Sequence, residues 1–247
     1  MTRILCIDDD QYLTDLLRYG FAREGFDVST VETSREGLRR ARAERFDAIL
    51  LDVNIPDMNG FKALAALRAF CATPVIMLTA RAQDEDIIAG FDGGADDYVS
   101  KPFSMQVLVT RVKAVLRRTM IPSIKPLFDT DGRVRRVAGA SLDIERNELA
   151  ARGACVRLTP TESRILQLLL AHEGQVLSAE RIMERIWSYN SDSDIAVVKT
   201  HIRRLREKVL RLPGAPQPIR TVPGVGYMVA PNSDDADDEV AQLTALA

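Results

Sequence analysis

Short continuous apolar runs alternate, along the first half of this chain, with longer segments whose apolar residues recur every three or four positions. The runs ILCI (Ile4 to Ile7), AILL (Ala48 to Leu51) and PVIMLT (Pro74 to Thr79) have the pattern of strands buried on both faces of a parallel sheet. Leu13, Leu16, Leu17 and Phe21 share a helical face, as do Leu64, Leu67 and Phe70, and later Val107, Leu108, Val112, Val115 and Leu116. Strand and helix alternate five times over residues 1–120, which predicts a doubly wound α/β fold on a five-stranded parallel sheet. Residues 121–127, with Pro122 and Pro126, break the periodicity and read as a linker.

Beyond the linker, from residue 128 to 231, the pattern predicts an α+β unit. Alternating segments at Val134 to Val137, Ser141 to Ile144, Glu148 to Ala151 and Val156 to Leu158 suggest a small antiparallel sheet. Thr159-Pro160-Thr161-Glu162 is a helix start: Thr159 caps, Pro160 fits the first position and Glu162 returns the bond of a capping box. A second helix follows Ser178 and carries Ile182, Ile186 and Trp187. The third, from about Asp194 to Leu210, places Ile195, Val198, Ile202, Leu205 and Val209 on one face. Its opposite face is then Ala196, Thr200, Arg203, Arg204 and Glu207, flanked by Lys199 and Arg206, and all of these are expected to point outward. Ile219 to Val229 reads as a hairpin through Gly224 and Gly226. Residues 232–247 form an acidic tail, expected to be disordered.

Composition refines this picture in two places. At 247 residues the chain holds two domains of common size, and its net charge of −2 hides an uneven distribution. Residues 127–230 carry 16 basic and 12 acidic side chains, so only this stretch would draw a polyanion. Cys6, Cys71 and Cys155 are odd in number and lack metal spacing, and read as small buried hydrophobes in a reducing compartment. No run approaches the roughly 20 apolar residues that span a bilayer, so a soluble cytoplasmic protein without membrane partners is expected.

The chemistry sits at the ends of the apolar runs. Asp8 and Asp9, Asp52, Thr79 and the Lys101-Pro102 step each close such a run, and in open α/β sheets that carboxyl edge is where ligands bind. Three crowded carboxylates are stable when they share a cation, and oxygen ligands without His or Cys suit Mg²⁺ or Mn²⁺. Asp52 is then a candidate nucleophile for a phosphoryl group, with the ammonium of Lys101 neutralising its oxygens and Thr79 adding a hydroxyl donor. Singly, each such aspartate is more often a turn or cap residue; together, in order, they point to one site.

RILCIDDD, LLDVNIPDMNG, PVIMLTA and GADDYVSKPF resemble the signature segments of two-component response regulator receivers, over about residues 1–120. The resemblance implies that Asp52 is the phosphoacceptor, phosphorylated by a sensor histidine kinase. It makes Asp9 a direct metal ligand, Asp8 a ligand through water and the backbone carbonyl of Asn54 the remaining protein ligand. Thr79 and Tyr98 match the switch pair, Lys101 the phosphate-contacting lysine, and the Lys101-Pro102 bond is cis in that family. LTPTES, HIRRLR and TVPGVGY are similar to the winged helix-turn-helix effector domain of OmpR/PhoB-type regulators. From that similarity Lys199, Thr200, His201, Arg203, Arg204 and Arg206 on the recognition helix, with Arg220 and Thr221 in the wing, are expected to contact double-stranded DNA at tandem half-sites. Pro223 stands where the family usually has a wing arginine. The family also pairs Lys and Glu across a receiver homodimer where this chain has Ile87 and Val107, while Asp96, Asp97, Arg111 and Arg118 match other interface positions. RNA polymerase is a further expected partner.

Two rival readings accompany the phosphorylation-switched transcription regulator. One is a Mg²⁺-dependent enzyme working through an aspartyl-phosphate; the chain offers it no second catalytic acid and no long insertion for a substrate. The other is a regulator whose receiver is a constitutive dimerisation module, against which stands the retention of every acidic and switch residue.

Overall fold

The computed structural model describes residues 1–79, 93–120, 134–137, 139–187, 195–214 and 217–230, the side chains at 118–120, 134–137, 195 and 196 excepted. The helix expected around Ile87, the linker and the acidic tail lie outside the described residues. Strands β1 (Thr2–Ile7), β2 (Phe26–Val31), β3 (Ala48–Asp52), β4 (Val75–Thr79) and β5 (Asp97–Ser100) form a parallel sheet ordered β2-β1-β3-β4-β5. Helices α1 (Gln11–Arg23), α2 (Ser34–Ala43), α3 (Gly60–Arg68) and α4 (Met105–Met120) accompany it. Side chains of successive strand residues point to opposite faces, and both faces are covered. Ile4, Cys6, Leu50, Ile76 and Leu78 meet Leu17 and Phe21 of α1 and Leu108, Val112 and Val115 of α4. Leu5, Ile7, Ile49, Leu51 and Met77 meet Ala63, Leu64 and Leu67 of α3. Each fully buried aliphatic side chain contributes about 1.5–3 kcal/mol. Leu16 and Val107, assigned to apolar faces from spacing, are instead exposed at 55% and 47%.

A four-stranded antiparallel sheet follows, β6 (Val134–Val137), β7 (Ala140–Asp143), β8 (Glu148–Ala151) and β9 (Ala154–Arg157). Then come α5 (Pro160–Leu170), α6 (Ala179–Trp187), α7 (Ile195–Val209) and the hairpin β10 (Ile219–Val222) with β11 (Gly226–Val229). The capping box at Thr159 and Glu162 is present. Three packed helices and a terminal hairpin make the C-terminal domain a winged-helix type. Its core is continuous with the α3 side of the first sheet, one apolar cluster running from Leu5, Leu64 and Tyr98 to Leu166, Trp187 and Val229. The cysteines differ from expectation: Cys6 is buried, but Cys71, just after α3, is partly exposed and Cys155, on β9 of the C-terminal domain, is exposed, because both lie at the surface of the cleft between the two domains.

Candidate metal centre and nucleic-acid interface

Sheet register builds the acidic site. Ile7 of β1 pairs with Leu51 of β3, so the residues that follow, Asp8 and Asp52, emerge side by side where the strand order reverses. Asp52 in turn pairs with Leu78 of β4, and Thr79 with Ser100 of β5, which brings Thr79 and Lys101 to the same edge. Carboxylate oxygens of Asp8, Asp9 and Asp52 all lie within 4.8 Å of one another, with Asp8 and Asp52 buried and Asp9 exposed. Such an all-oxygen set fits Mg²⁺ or Mn²⁺ and not a softer ion. Lys101 Nζ stands 2.8 Å from Asp8 Oδ2 and 3.2 Å from Asp52 Oδ1. Burial pushes the Asp52 carboxyl up, Lys101 opposing and Asp8 adding to the shift. At Lys101 burial works against the charge, but the bonds to Asp8 and Asp52 outweigh it and hold the ammonium above its usual range. The third acid of the first motif, Asp10, is a helix cap and accepts from Leu13 N at 3.0 Å.

The loop after Asp52 is pinned at several points. Gly60 N donates to Val53 O at 2.8 Å, and a Cβ on Gly60 would collide with the Asp52 carbonyl, so only glycine fits. Asp57, which sequence reasoning passed over, accepts from Ser34 N at 2.9 Å and Arg35 N at 3.1 Å at the N-terminus of α2. The loop carrying the exposed Asn54 is thereby tied to a helix end, where a carboxylate is favoured. Thr79 and Tyr98 are both buried. The Lys101-Pro102 bond is cis, as the resemblance implied.

The basic helix departs from its expected orientation. On α7, Lys199 and Arg203 are exposed, but Thr200 and His201 are buried and the Arg204 side chain is only 12% exposed. The reason is a second buried row, Val197, His201 and Leu205, four residues apart. That row packs His201 against the Trp187 ring at 5.4 Å. Trp187 Nε1 in turn donates to the Asp96 carbonyl, 3.3 Å away and just before β5. Arg204 lies beside Glu162 and against the Gly94 backbone, and shares with Arg68, Phe70 and Lys208 a cleft between α3 and α7. Glu162 Oε2 accepts from Lys208 Nζ at 2.6 Å. Arg206 and Thr221, both read as DNA contacts, are bonded to each other at 2.7 Å. Arg220 is exposed on β10, and Pro223 is exposed at the tip.

Of the expected dimer positions, Val107 is exposed, whereas Ile87 and the Arg118 side chain lie outside the described residues. Asp97 pairs with Arg111 at 3.0 Å and is almost fully buried. Asp96 is not a surface residue: it is fully buried and receives Arg68 at 2.8 Å and Val75 N at 3.0 Å. Arg68 also donates to Gly94 O at 2.8 Å and Thr73 O at 2.6 Å. It went unnoticed in the sequence, although it continues the Leu64 row of α3 at i+4, where a charged residue needs a buried partner.

A receiver-type sheet with an acidic centre at its switch point, followed by a winged-helix domain with basic residues on its last helix, defines a regulator of transcription built from an input and an output module. Residues 4–113 match the family described as "Response regulator receiver domain", and residues 153–229 the one described as "Transcriptional regulatory protein, C terminal". The DNA-binding response regulator MtrA of Mycolicibacterium smegmatis is 36% identical over 229 residues, 93% of this chain and 97% of that protein. The transcriptional regulatory protein CseB of Streptomyces avermitilis is 38% identical over 232 residues, 92% of this chain and 97% of that protein. A point mutant of RitR has a similar solved structure, with TM-score 0.75 and 26% identity over 93% of this chain and 99% of that one. The chain belongs to the DNA-binding two-component response regulators of the OmpR/PhoB type, which are transcription regulators and not enzymes. No helix among the described residues is long and apolar enough to cross a membrane.

Proposed function

We propose that this regulator is switched by phosphorylation of Asp52 from a sensor histidine kinase, in the presence of Mg²⁺ or Mn²⁺, and then binds promoter half-sites as a dimer. The observation that carries the reading is the convergence of Asp8, Asp9 and Asp52 with Lys101 at one edge of the sheet. An Asp52 oxygen attacks the phosphorus of a phosphohistidine, the P–N bond breaks, and the imidazole leaves with the electron pair and takes a proton. Asp8, Asp9, Asp52 and the Asn54 carbonyl would hold the divalent ion, which supplies charge neutralisation for the transferring oxygens. Lys101 shifts from Asp8 and Asp52 toward the new phosphoryl group, and the Thr79 hydroxyl donates to it. Tyr98 responds from within the shared apolar cluster.

Arg204 is held against the receiver's Gly94 and beside Arg68, so DNA contact through that part of α7 requires that the two domains separate. β5 links the two events: Lys101 beyond its end touches Asp52, and Asp96 before its start holds Trp187. Dimerisation would use the face of α4 and β5 that bears Val107, Asp97 and Arg111. Labelling with radioactive acetyl phosphate tests the site. Incorporation should require a divalent ion and vanish in Asp52→Asn; labelling that survives either change places the acceptor elsewhere.

A further inference from the structure

Arg206 lies on the helix that the family uses to contact DNA, yet its guanidinium is engaged on the wing. Nε and one terminal nitrogen donate to Ile219 O at 3.2 and 3.1 Å, and the same terminal nitrogen donates to Thr221 Oγ1 at 2.7 Å. The group also lies 5.9 Å from the Tyr227 ring centroid on the partner strand of the hairpin. Backbone ties accompany it: Gln217 Nε2 donates to Arg206 O at 3.3 Å, and Ile219 N donates to Gln217 Oε1 at 3.4 Å. We infer that Arg206 is a positioning residue that fixes the angle between α7 and the β10–β11 wing and orients the Thr221 hydroxyl toward DNA, without itself contacting phosphate. This inference rests on the DNA-binding reading of α7 and the wing.

The chemistry supports a division of labour. A hydroxyl has one proton to donate and lone pairs to accept. Arg206 occupies a lone pair of Thr221 Oγ1, so the proton remains for an acceptor on the exposed side, and the adjacent cation strengthens that donor. The planar fork of arginine spans Ile219 O and Thr221 Oγ1 together; an ammonium carries the same charge but cannot reproduce that fork. Arg203 and Lys199 stay exposed on the same helix and supply charge to the backbone of the duplex. The wing tip bears Pro223 and Val225, both exposed, so the fixed Thr221 hydroxyl and the exposed Arg220 are polar groups the wing offers on β10.

The test uses the full chain and a duplex selected from a random pool by wild-type protein, with affinity measured across a salt series. For a positioning role, Arg206→Lys and Arg206→Ala both lose about tenfold in affinity, the scale of one charge-assisted hydrogen bond, while the slope of log affinity against log salt is unchanged. A direct phosphate contact predicts instead that Arg206→Ala flattens the slope by about one unit and that Arg206→Lys retains affinity. Thr221→Val, a surface change that leaves folding intact, should lose a similar amount, and combining it with Arg206→Ala should cost little more than either alone. Additive losses, or a flattened slope, overturn the inference while leaving the DNA-binding reading in place; a wild-type chain that selects no duplex sinks both.

Discussion

Trp187→Phe isolates one hydrogen bond between the two domains. The ring stays apolar, but the indole N–H that donates to the Asp96 carbonyl at 3.3 Å is gone. A net intramolecular hydrogen bond contributes about 0.5–1.5 kcal/mol, and a bond of this length belongs in the lower half of that range. The loss moves the equilibrium toward separated domains by about twofold to fivefold, since 1.4 kcal/mol corresponds to a factor of ten. Apparent affinity scales with the fraction of molecules whose binding surface is available. The unphosphorylated variant should therefore bind duplex DNA about twofold to fivefold more tightly than unphosphorylated wild type, and the gap should narrow once both are phosphorylated. Fluorescence anisotropy of a labelled duplex measures both states. The variant also leaves a smaller ring against His201, so its melting temperature falls, and circular dichroism at the assay temperature confirms the folded fraction. A folded Trp187→Phe chain that binds DNA no better than wild type before phosphorylation refutes the claim that this contact restrains α7.

Three further outcomes follow from the geometry. Arg68→Ala strands the fully buried Asp96 carboxylate and should destabilise the chain by about 3–5 kcal/mol, the cost of breaking a buried pair; urea denaturation showing less than about 1 kcal/mol would mean that the pair behaves as a surface one. In chelator, the raised pKa of Asp52 means that the folded chain binds more protons than the unfolded one just above pH 3.8, so stability falls as pH rises through that window. Asp52→Asn removes this loss and should be more stable than cation-free wild type at neutral pH, a gain that Mg²⁺ binding to wild type cancels. Val107→Glu should weaken association of the phosphorylated chain, and wild-type association should persist at salt that screens surface charge; sedimentation unchanged by the substitution would place Val107 outside the interface.

The acidic site was legible because it is local in sequence and fixed by register. Each reactive residue follows an apolar run, and once the runs pair in parallel, Asp8, Asp52, Thr79 and Lys101 have nowhere to go but one edge. The central strands were equally plain, since burial on both faces leaves no polar position. β2, with the mixed pattern of an edge strand, and β5, four residues long, are carried by the alternation of elements more than by their own composition. Helix faces were read less well. Leu16 and Val107 show that an apolar residue at helical spacing is not thereby buried, because α1 and α4 bury a narrower stripe than their aliphatic content suggests.

The larger difference lies on α7, and it has one physical cause. Helical spacing identifies the face that packs on a helix's own domain, and Val198, Ile202, Leu205 and Val209 were read correctly as that face. Nothing in the period announces a second contact made by a different domain, because its partners are polar and distant in sequence. Thr200, His201 and Arg204 have the composition of a solvated surface, which is what an α7 bound to DNA needs. Of these, Arg204 lies against Gly94 and α3 of the receiver, whereas His201 packs on Trp187 of its own domain. On the reading proposed for α7, a side chain that faces a polyanion in one state and the receiver in the other is suited to both when it is a cation with a long apolar stem, as Arg204 is. Glu162 lies on α5 of the same domain as Arg204 and Lys208, so it stays beside these two cations when the domains separate and competes with DNA phosphates for them.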